Sequence, residues 1–514
     1  MSESLILAGT LIQGIGDDGL PIVVQQAALY QKDGVIHDIG KAEDLIADYP
    51  QARRYGSMQH VLLPGFVNSH HHVGLTPLQL GSPDYALELW FASRMGAREV
   101  DLRLDTLYSA FEMISSGITT VQHIHGWRPG TLEAIHQAAS AVLAAYREIG
   151  MRASYSFAVR EQNLLVYEAD EQFVSRVPAE IQIQLAAHLK KQRLPLEDYL
   201  KLFRMLSADN QGQHLTRIQL APANLHWCSD DALQAIKAEA DNAGVPMHMH
   251  LVETAYQREY ARRRTGGTAL AHLHKLGLLG PSLTLGHGVW LNEADIELAA
   301  ATGTCVCHNC SSNLRLRSGV APLNAFRQHG LTVGLGLDEA GINDDRDMLQ
   351  EMRLALRVHR VPGMDDDEVP SCGEIVRMAT EGGAKTTPFS GQIGRLEPGK
   401  LADAVLFDWK SITWPYQDDD IPLLDVLVQR ARSKDIESVF IAGEEVCRQG
   451  QFTRVNRMEV LNEIAQRLAA PRTADEIARL ELGKKVFPHV KDFYRDYLAG
   501  ETARQPFYSP SSRR

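Results

Sequence analysis

Residues 64–72 read Pro64-Gly65-Phe66-Val67-Asn68-Ser69-His70-His71-His72, a short apolar run that ends in three consecutive histidines. Alternate side chains of an extended segment share a face, so His70 and His72 can bind one ion while His71 points the other way. A buried strand that ends in polar, metal-binding side chains is typical of a parallel barrel, which carries its chemistry at the carboxyl ends of its strands.

Further apolar runs of this kind predict the rest of the architecture, because each is followed by a longer stretch with apolar residues at helical spacing. The eight runs are Val61–Val67, Ile118–His123, Ala153–Val159, Ile218–Ala221, Pro246–Leu251, Leu283–His287, Thr304–Cys307 and Thr332–Leu337. The helical stretches include Thr131–Ile149, Asp230–Ala243, Glu293–Thr302 and Leu323–His329. Apolar strands that alternate with helices indicate a parallel sheet buried on both faces, and eight of them predict an α/β fold of the (β/α)8 TIM-barrel type.

The segments on either side of the barrel have a different pattern of apolar residues. Residues 1–60 contain short apolar runs bounded by Gly, Asp and Pro, and the turn-rich segment Gly391–Asp403 leads into two more strands. We therefore predict four parts: a small β-sandwich domain built from both chain ends (1–60 and 391–455), the metal-dependent barrel (61–390) and a C-terminal helical extension (456–514). Within the barrel, Arg160–Thr216 is longer than a barrel needs and is predicted to form a lid or an oligomer contact. The extension is predicted to hold two or three amphipathic helices and to end in a disordered tip, 509–514.

Composition and charge narrow the class of protein. The chain has 514 residues, of which 44% are hydrophobic and 23% charged, values typical of globular proteins. Its 52 Lys and Arg against 64 Asp and Glu give a net charge of −12, which disfavours a nucleic-acid binder. The sequence contains neither a secretory signal nor an apolar run of about 18 residues, so no membrane partner is expected. Six cysteines are too few for a disulfide framework, which predicts a cytoplasmic protein with reduced thiols.

Three further runs end in residues that suit a metal. The fifth ends in His248-Met249-His250 and is followed closely by Glu253, the sixth ends at His287, and the eighth is followed by Asp338. Three imidazoles and a carboxylate that leave one coordination position open are typical of a catalytic metal site rather than a structural one. At this stage either His248 or His250 can be the ligand from the fifth strand.

These motifs together resemble a known family. Residues 64–72, His250-Leu251-Val252-Glu253-Thr254, Gly286-His287-Gly288-Val289, Ser312-Asn313-Leu314 and Gly336-Leu337-Asp338 resemble the amidohydrolase superfamily. Within it, they are similar to the cytosine deaminase-like branch, which contains purine and adenosyl-nucleoside deaminases and triazine hydrolases. The resemblance covers about residues 1–450 and leaves out the C-terminal extension.

The resemblance implies one divalent metal ion per subunit, with zinc favoured and iron as the alternative. By motif position its ligands are His70, His72, His250 and Asp338, and the His-x-x-Glu spacing to Glu253 favours His250 over His248. His287 is expected to hydrogen-bond the activated water or to complete the coordination. In the expected reaction Asp338 accepts the proton of the water and Glu253 protonates a ring nitrogen of the substrate.

Five residues near strand ends are candidates for substrate binding: Gln79, Trp90, His125, Arg160 and Glu339. Trp90 is suited to stack on a flat ring, or alternatively to pack under the first loop. Arg160 is suited to anchor a substrate because a guanidinium makes paired hydrogen bonds. Glu339 either contacts a cationic substrate or pairs with an arginine such as Arg346.

One position departs from the family pattern. Purine-type members usually carry a histidine directly after Ala-Pro at the fourth strand, and this chain has Ala223 there. An alanine side chain cannot donate a hydrogen bond to a ring, so purine deamination is disfavoured at this stage.

The expected activity is therefore hydrolytic deamination of an aminated N-heterocycle, such as a triazine, pyrimidine or pterin-like ring, with release of ammonia. The alternative uses the same site to hydrolyse an amide, urea or carbamate, or to displace chloride or an alkylamine. A third hypothesis is a catalytically inactive scaffold, against which the intact ligand set argues. The expected partner is a small molecule, and the tail helices predict a homodimer.

Overall fold

The computed structural model describes residues 3–72, 74–126 and 128–499. Its strands are β1 (Glu3–Ile15), β2 (Pro21–Lys32), β3 (Val35–Lys41), β4 (Arg53–Pro64), β5 (Phe66–His71), β6 (Ile118–His125), β7 (Arg152–Val159), β8 (Thr216–Ile218), β9 (Ala221–Pro222), β10 (Met247–Leu251), β11 (Leu283–His287), β12 (Cys305–His308), β13 (Val333–Leu335), β14 (Ala404–Asp408), β15 (Ile436–Ile441), β16 (Glu444–Arg448) and β17 (Gln451–Phe452).

The helices are α1 (Ala42–Asp48), α2 (Leu87–Ser93), α3 (Leu102–Ser115), α4 (Leu132–Ile149), α5 (Asp170–Arg176), α6 (Ala179–Gln192), α7 (Leu196–Asp209), α8 (Asp230–Ala243), α9 (Ala255–Thr265), α10 (Ala269–Lys275), α11 (Glu293–Thr302), α12 (Cys310–Arg315), α13 (Leu323–Gln328), α14 (Met348–Val358), α15 (Cys372–Arg377), α16 (Gly383–Lys385), α17 (Trp409–Thr413), α18 (Leu423–Arg430), α19 (Arg457–Ala469) and α20 (Ala474–Tyr494). Short 3₁₀ turns lie at Arg94–Gly96, Asp366–Glu368 and Ser433–Asp435, and a π-helical turn at Met378–Gly382.

Strands β5 to β13 form the predicted barrel. β5, β6, β7 and β8 pair in parallel in that order, β9 continues the fourth position beside β7, and β10 to β13 pair in parallel in theirs. Two parallel bridges, Leu220 with Met247 and His71 with Asp338, join the two groups of strands and close the ring. The predicted (β/α)8 fold is confirmed, and its closing bridge lies at the strand ends that carry the histidines.

The first predicted strand is in fact two strands. The run from Val61 to Val67 contributes its first part to β4 of the small sheet and its last part to β5 of the barrel. Gly65 separates them, and a Cβ at this position would lie 2.2 Å from the Thr119 hydroxyl oxygen. The backbone can pass this close to Thr119 only because Gly65 has no side chain.

Both ends of the chain build the small β domain, as predicted. Its eight strands follow the order β17-β16-β15-β14-β4-β1-β2-β3, and β14 pairs antiparallel with β4. Ile6, Leu29, Leu62 and Phe440, which come from distant strands of this sheet, share one buried apolar cluster. The sheet therefore curls around a core of its own, separate from that of the barrel.

The insert after β7 and the C-terminal extension pack against each other. Helices α5, α6 and α7 come from the insert, and α20 of the extension lies against α2, α6 and the turn at 94–96. Apolar side chains of α5, α6 and α20 and of the segment before α5 form one buried cluster, which includes Tyr167, Leu185, Val486 and Tyr494. We call this cluster the roof core, because its elements cover the carboxyl ends of the barrel strands. The buried side chains of α7 belong to the barrel core instead. The predicted disordered tip, 509–514, lies outside the described residues.

None of the described helices combines the length and the apolar character that crossing a lipid bilayer requires.

Candidate metal centre

Three imidazoles from two strand ends meet at one point. The Nε2 atoms of His70 and His72 are 3.0 Å apart, and each lies 3.0–3.1 Å from Nε2 of His250. His70 and His72 share one face of β5 and its end, as the alternation of side chains predicts, while His71 packs its ring beside His123. The structure thus brings together the three histidines that the sequence singled out.

The hydrogen bonds of these rings determine which nitrogen faces the centre. Nδ1 of His72 donates to the carbonyl of Ile124 at 2.7 Å, and Nδ1 of His250 donates to the carbonyl of Ala223 at 2.8 Å. Their Nε2 atoms therefore face one another, and each presents a lone pair when its ring is neutral. Burial alone would lower the pKa of His72, but the hydrogen bond and charge of Asp338 raise it above its usual value. Burial lowers the pKa of His70 and His250 well below its usual value, so both rings are neutral. Lone pairs that converge in this way repel one another unless a cation lies between them, and the donor set fits a divalent metal.

His248, the alternative ligand, has a different position. Its Nε2 atom lies 2.7 Å from Nδ1 of His70, on the side of that ring away from the other two histidines. A hydrogen bond at this nitrogen orients the His70 ring, which is the usual role of a residue behind a metal ligand. The geometry therefore favours His250 as the ligand.

Asp338 completes the group. Its Oδ1 atom lies 3.2 Å from Nε2 of His72 and 3.5 Å from Nε2 of His70, and its Oδ2 atom accepts a hydrogen bond from Ser312 at 2.6 Å. Burial alone would raise the pKa of Asp338, but the contacts with His72, His287 and Ser312 hold it below its usual value, so the side chain is a carboxylate. The backbone of Asp338 has a φ of 55°, an uncommon conformation that is typical of functional sites.

Glu253 and His287 lie next to this group. The Glu253 carboxyl accepts a hydrogen bond from Ser318 at 3.1 Å, and its other oxygen lies 3.5 Å from Nε2 of His287. Burial, reinforced by the negative charge of Asp338, raises the pKa of Glu253 well above its usual range, which favours the protonated form of its carboxyl. Nδ1 of His287 lies 2.9 Å from the amide oxygen of Asn313, which leaves Nε2 facing the site.

A cavity of about 400 Å³ opens over these side chains, a size suited to a small-molecule substrate. His72, His250, Glu253, His287 and Asp338 form part of its wall. Of the five predicted substrate contacts, Trp90, His125, Arg160 and Glu339 also line it.

Each of these four side chains has a protein contact that limits its freedom. The Arg94 guanidinium covers the Trp90 ring at 4.7 Å, and the buried Trp90 also packs with Leu87. Arg160 lies 3.8 Å over the ring of Trp227, and burial lowers its pKa to about 10, so it remains a cation.

The other two contacts are polar. Nδ1 of His125 lies 2.6 Å from the Tyr155 hydroxyl, and burial lowers the pKa of His125 to about 3, so the ring is neutral. Glu339 pairs with Arg94 at 3.1 Å, whereas Arg346 donates to the backbone carbonyl of Glu339. The prediction of an arginine partner is thus correct in kind, but the partner is Arg94.

The structure places Gln79, the fifth predicted substrate contact, outside the lining of the cavity. Its side chain is exposed, accepts a hydrogen bond from the Thr76 amide and donates to the Tyr108 hydroxyl at 3.0 Å, and it does not line the cavity. Gln79 lies in a turn that closes on itself through Thr76, and the loop after β5 reaches the cavity on either side of it, at Leu75 and at Leu80.

Other cavity residues were not predicted. His188 and Gln192 of α6 and Arg479 of α20 line the outer part of the cavity. Arg479 pairs with Glu99, a further lining residue, at 3.1 Å. Their helices follow the metal motifs at long and variable distances along the chain, so no spacing rule could have found them.

Comparison with known proteins places this geometry in a family. The sequence profile of the amidohydrolase family matches residues 61–446. The chain is 30% identical over 465 residues to a 5-methylthioadenosine/S-adenosylhomocysteine deaminase from Syntrophobacter fumaroxidans, a match that covers 90% of this chain and 96% of the relative. It is 27% identical over 471 residues to a 5′-deoxyadenosine deaminase from Methanopyrus kandleri, with 90% and 99% covered.

Solved structures share the fold. An adenosine deaminase from Xanthomonas campestris with bound zinc superimposes with a TM-score of 0.73 at 24% identity and covers 90% of this chain and 97% of its own. An atrazine chlorohydrolase from Arthrobacter aurescens, complexed with zinc, gives a TM-score of 0.76 at 20% identity, with 90% and 99% covered. Together with the strand-end histidines and Asp338, the sequence match leads to one conclusion: the chain belongs to the amidohydrolase family.

Proposed function

We propose that this protein is a metal-dependent aminohydrolase that replaces an exocyclic amino group of an N-heterocycle with oxygen and releases ammonia. The observation that carries the proposal is the convergence of three histidine Nε2 atoms and the Asp338 carboxylate beside the Glu253 carboxyl, at one cavity. We assign His70, His72, His250 and Asp338 as ligands of one divalent ion, and zinc as that ion, because solved relatives hold zinc.

The side chains of this chain then have distinct tasks. A bound divalent ion supplies Lewis-acid activation of water near neutral pH. The Asp338 carboxylate is placed to accept a proton from the attacking water, and Glu253 is placed to donate its proton to a ring nitrogen, which makes the adjacent carbon electrophilic. His287, whose Nδ1 atom donates to Asn313, presents the lone pair of Nε2 and is placed to accept a hydrogen bond from the attacking water and so orient it. The proton that Asp338 has gained goes to the departing nitrogen, which leaves as ammonia. The remaining proton of the attacking water passes to Glu253 as the carbonyl forms, which restores both carboxyl groups.

We propose adenine nucleosides with a modified 5′ position as the first substrates to test, because the two relatives compared above are named as deaminases of such compounds. Ala223 stands where purine-type members usually carry a histidine, and its side chain has no polar atom. Its backbone carbonyl already accepts the hydrogen bond of His250. If the substrate is a purine, another group must therefore make the contact of that histidine. Pterin, pyrimidine and triazine rings are the other classes that the sequence predicts.

We also propose that the enzyme is a cytoplasmic homodimer. All six cysteines are free thiols, as expected in a reducing compartment. The apolar side of α20, which suggested the dimer, packs against α2 and α6 of the same chain, so the dimer contact would use another surface. The molar mass in solution, measured by light scattering, tests this part of the proposal.

The test of the function combines metal analysis with product detection. Protein purified without chelator is expected to hold about one metal ion per chain, because a preformed site binds its metal tightly. Ammonia release is then measured with 5′-methylthioadenosine, S-adenosylhomocysteine, pterin, cytosine and melamine, with an amide and atrazine as controls for the other reaction types.

Ammonia from one ring compound, lost on chelation and restored by zinc, is the expected result. Chloride released from atrazine, or hydrolysis of the amide alone, would overturn deamination in favour of the alternative reaction. Absence of metal from the purified protein, with no activity after zinc is added, would favour an inactive scaffold.

A further inference from the structure

Glu88 is a buried carboxyl group that the proposed reaction does not use. It lies in α2, is 3% exposed, and accepts two hydrogen bonds at the same oxygen, Oε1. One comes from the Tyr167 hydroxyl at 2.9 Å and the other from the Thr254 hydroxyl at 2.5 Å. Thr254 directly follows Glu253, so Glu88 is attached to the segment that carries the proton donor.

That segment has an unusual backbone. Val252 has a φ of 42°, which a β-branched residue adopts only when its surroundings hold it there. Its carbonyl accepts a hydrogen bond from the Trp290 amide at 2.9 Å, and the Glu253 amide donates to the Gln257 side chain at 2.9 Å. These contacts tie the segment to the turn after β11 and to α9.

Thr254 ties the segment to α9 and to α2. Its hydroxyl oxygen accepts a hydrogen bond from the Gln257 amide at 3.2 Å, which caps α9. The single proton of this hydroxyl is donated to Glu88. Loss of the acceptor would leave a buried donor without a partner, which typically costs about 1–3 kcal/mol.

The contacts continue from Glu88 into the C-terminal extension. The Tyr167 amide donates to the hydroxyl of Tyr494 in α20 at 3.2 Å, and the two rings pack edge to face with centroids 5.4 Å apart. All of the residues in this chain of contacts, Tyr494, Tyr167, Glu88 and Thr254, are buried. The extension lies beyond residue 446, where the match to the family profile ends.

We propose that Glu88 is a positioning residue for Glu253, and that α20 takes part in the active site through the contacts of Tyr494, Tyr167, Glu88 and Thr254. This inference rests on the proposed function only in taking Glu253 as the proton donor. Glu88 acts by accepting the hydrogen bond of the Thr254 hydroxyl, which keeps the 252–254 backbone in the conformation that directs the Glu253 carboxyl into the cavity.

The first experiment measures hydrogen–deuterium exchange in the metal-loaded full chain and needs no substrate. Glu88→Met removes the acceptor at similar size, whereas Glu88→Gln keeps an acceptor oxygen. We expect the amides of residues 252–257 to exchange about tenfold faster in Glu88→Met, and within about twofold of the native rate in Glu88→Gln. Thr254→Val is the second variant; it removes this bond together with the cap on the Gln257 amide, so its increase is expected to be at least as large as that of Glu88→Met.

The role of the extension is tested in the same way. Tyr494→Phe removes the acceptor for the Tyr167 amide and is expected to raise exchange in the 252–257 segment and in α20. Tyr416→Phe is the matched control, because Tyr416 is 72% exposed and far along the chain from this network. Unchanged exchange of the 252–257 segment in Glu88→Met and in Thr254→Val would overturn the proposal.

The second experiment is a double-mutant cycle on kcat, with 5′-methylthioadenosine as the probe. Glu88→Met is expected to lower kcat about tenfold or more with the metal content and KM unchanged, and to have little further effect in a Glu253→Gln background. Equal effects of Glu88→Met in both backgrounds would mean that Glu88 does not act through Glu253. A kcat that Glu253→Gln leaves unchanged would instead overturn the proposed role of Glu253, while the exchange experiment still decides the positioning by Glu88.

Discussion

His70, His72 and His250 show how the hydrogen bonds behind a ring prepare a metal site. Each Nδ1 atom has a partner, so each Nε2 atom is left to face the other two within 3.1 Å. Carbonyl acceptors at Ile124 and Ala223 make this arrangement independent of any other side chain for two of the three rings. The barrel backbone itself therefore sets the orientation of these two rings, and the His248 side chain sets that of His70.

Removal of one proposed ligand is expected to weaken metal binding. His72→Gln takes away one of three converging lone pairs, and we expect metal affinity to fall by more than about 100-fold, beyond the usual effect of residues behind the ligands. His71→Gln is the matched control, because His71 lies next to His72 but packs beside His123. Metal content after dialysis, measured by mass spectrometry, checks both. Equal loss from both variants would contradict the assignment.

Removal of the proposed proton donor is expected to lower kcat and to leave the metal content unchanged. Glu253→Gln keeps the size of the side chain and its contact with Ser318 but has no acidic proton, so kcat is expected to fall about 10²- to 10⁴-fold. Glu259→Gln serves as the control, since Glu259 pairs with Arg262 and Arg263 on its own helix α9, and a change within about twofold is expected there. A Glu253→Gln variant with full metal and near-native kcat would contradict the mechanism.

Sequence reasoning performed best for residues whose role follows from local geometry. Alternation along β5 separated His70 and His72 from His71, and a three-residue spacing singled out His250. It was less successful where a contact with a residue outside the motif decides which partner a side chain has or which way it points. The partner of Glu339 is Arg94, which is 245 positions away, and Gln79 turns away from the cavity because of a contact with Thr76.

At the scale of elements, the barrel was predictable because each strand is buried on both faces and therefore apolar along its length. Helices α8 and α11 begin and end at the predicted residues, since Ser229 and Asn292 cap their starts and glycines follow their ends. The roof core was not predictable. Its helices carry mixed polar and apolar residues, and what covers their apolar sides is set by packing between the insert and the extension.

The roof core supplies a test of this packing. Leu185 in α6 is fully buried in it, and Leu185→Ala is expected to lower the free energy of unfolding by about 2–5 kcal/mol, because a cavity is left among α5, α6 and α20. Ile183 lies on the same helix but is 82% exposed, so Ile183→Ala is expected to change stability by less than about 0.5 kcal/mol. Urea unfolding of the two variants provides the measurement. Equal destabilisation would mean that α6 does not pack as described.

At the scale of the whole molecule, buried histidines make stability depend on pH. His359 contacts His308 at 3.0 Å in the interior, and burial lowers the pKa of His359 to about 4, against about 6.5 in an unfolded chain. Below pH 6.5 the unfolded state takes up a proton that the folded state does not accept until pH 4. The free energy of unfolding is therefore not reduced by this histidine above pH 6.5, and it falls as the pH drops from 6.5 toward 4.

His359→Gln is expected to remove this part of the acid sensitivity. The loss of unfolding free energy between pH 7 and pH 5 should shrink by about 2 kcal/mol, since a glutamine side chain takes up no proton in the unfolded state. His214→Gln, at an exposed position, is the control and should leave the pH dependence unchanged. Unfolding curves recorded at both pH values check the difference. An unaltered slope in His359→Gln would contradict the lowered pKa.

The pairing of β4 with β14 has a consequence for synthesis on the ribosome. Pro64 meets Ala404, a partner that is made about 340 residues later, and at about 5–20 residues per second this takes roughly 20–70 seconds. During that interval one edge of β4 is open, and β5, which follows after Gly65, leads directly into the metal-binding histidines. The nascent chain therefore cannot complete its small β domain until nearly the whole barrel has emerged, and the open edge is where a chaperone would be expected to engage it.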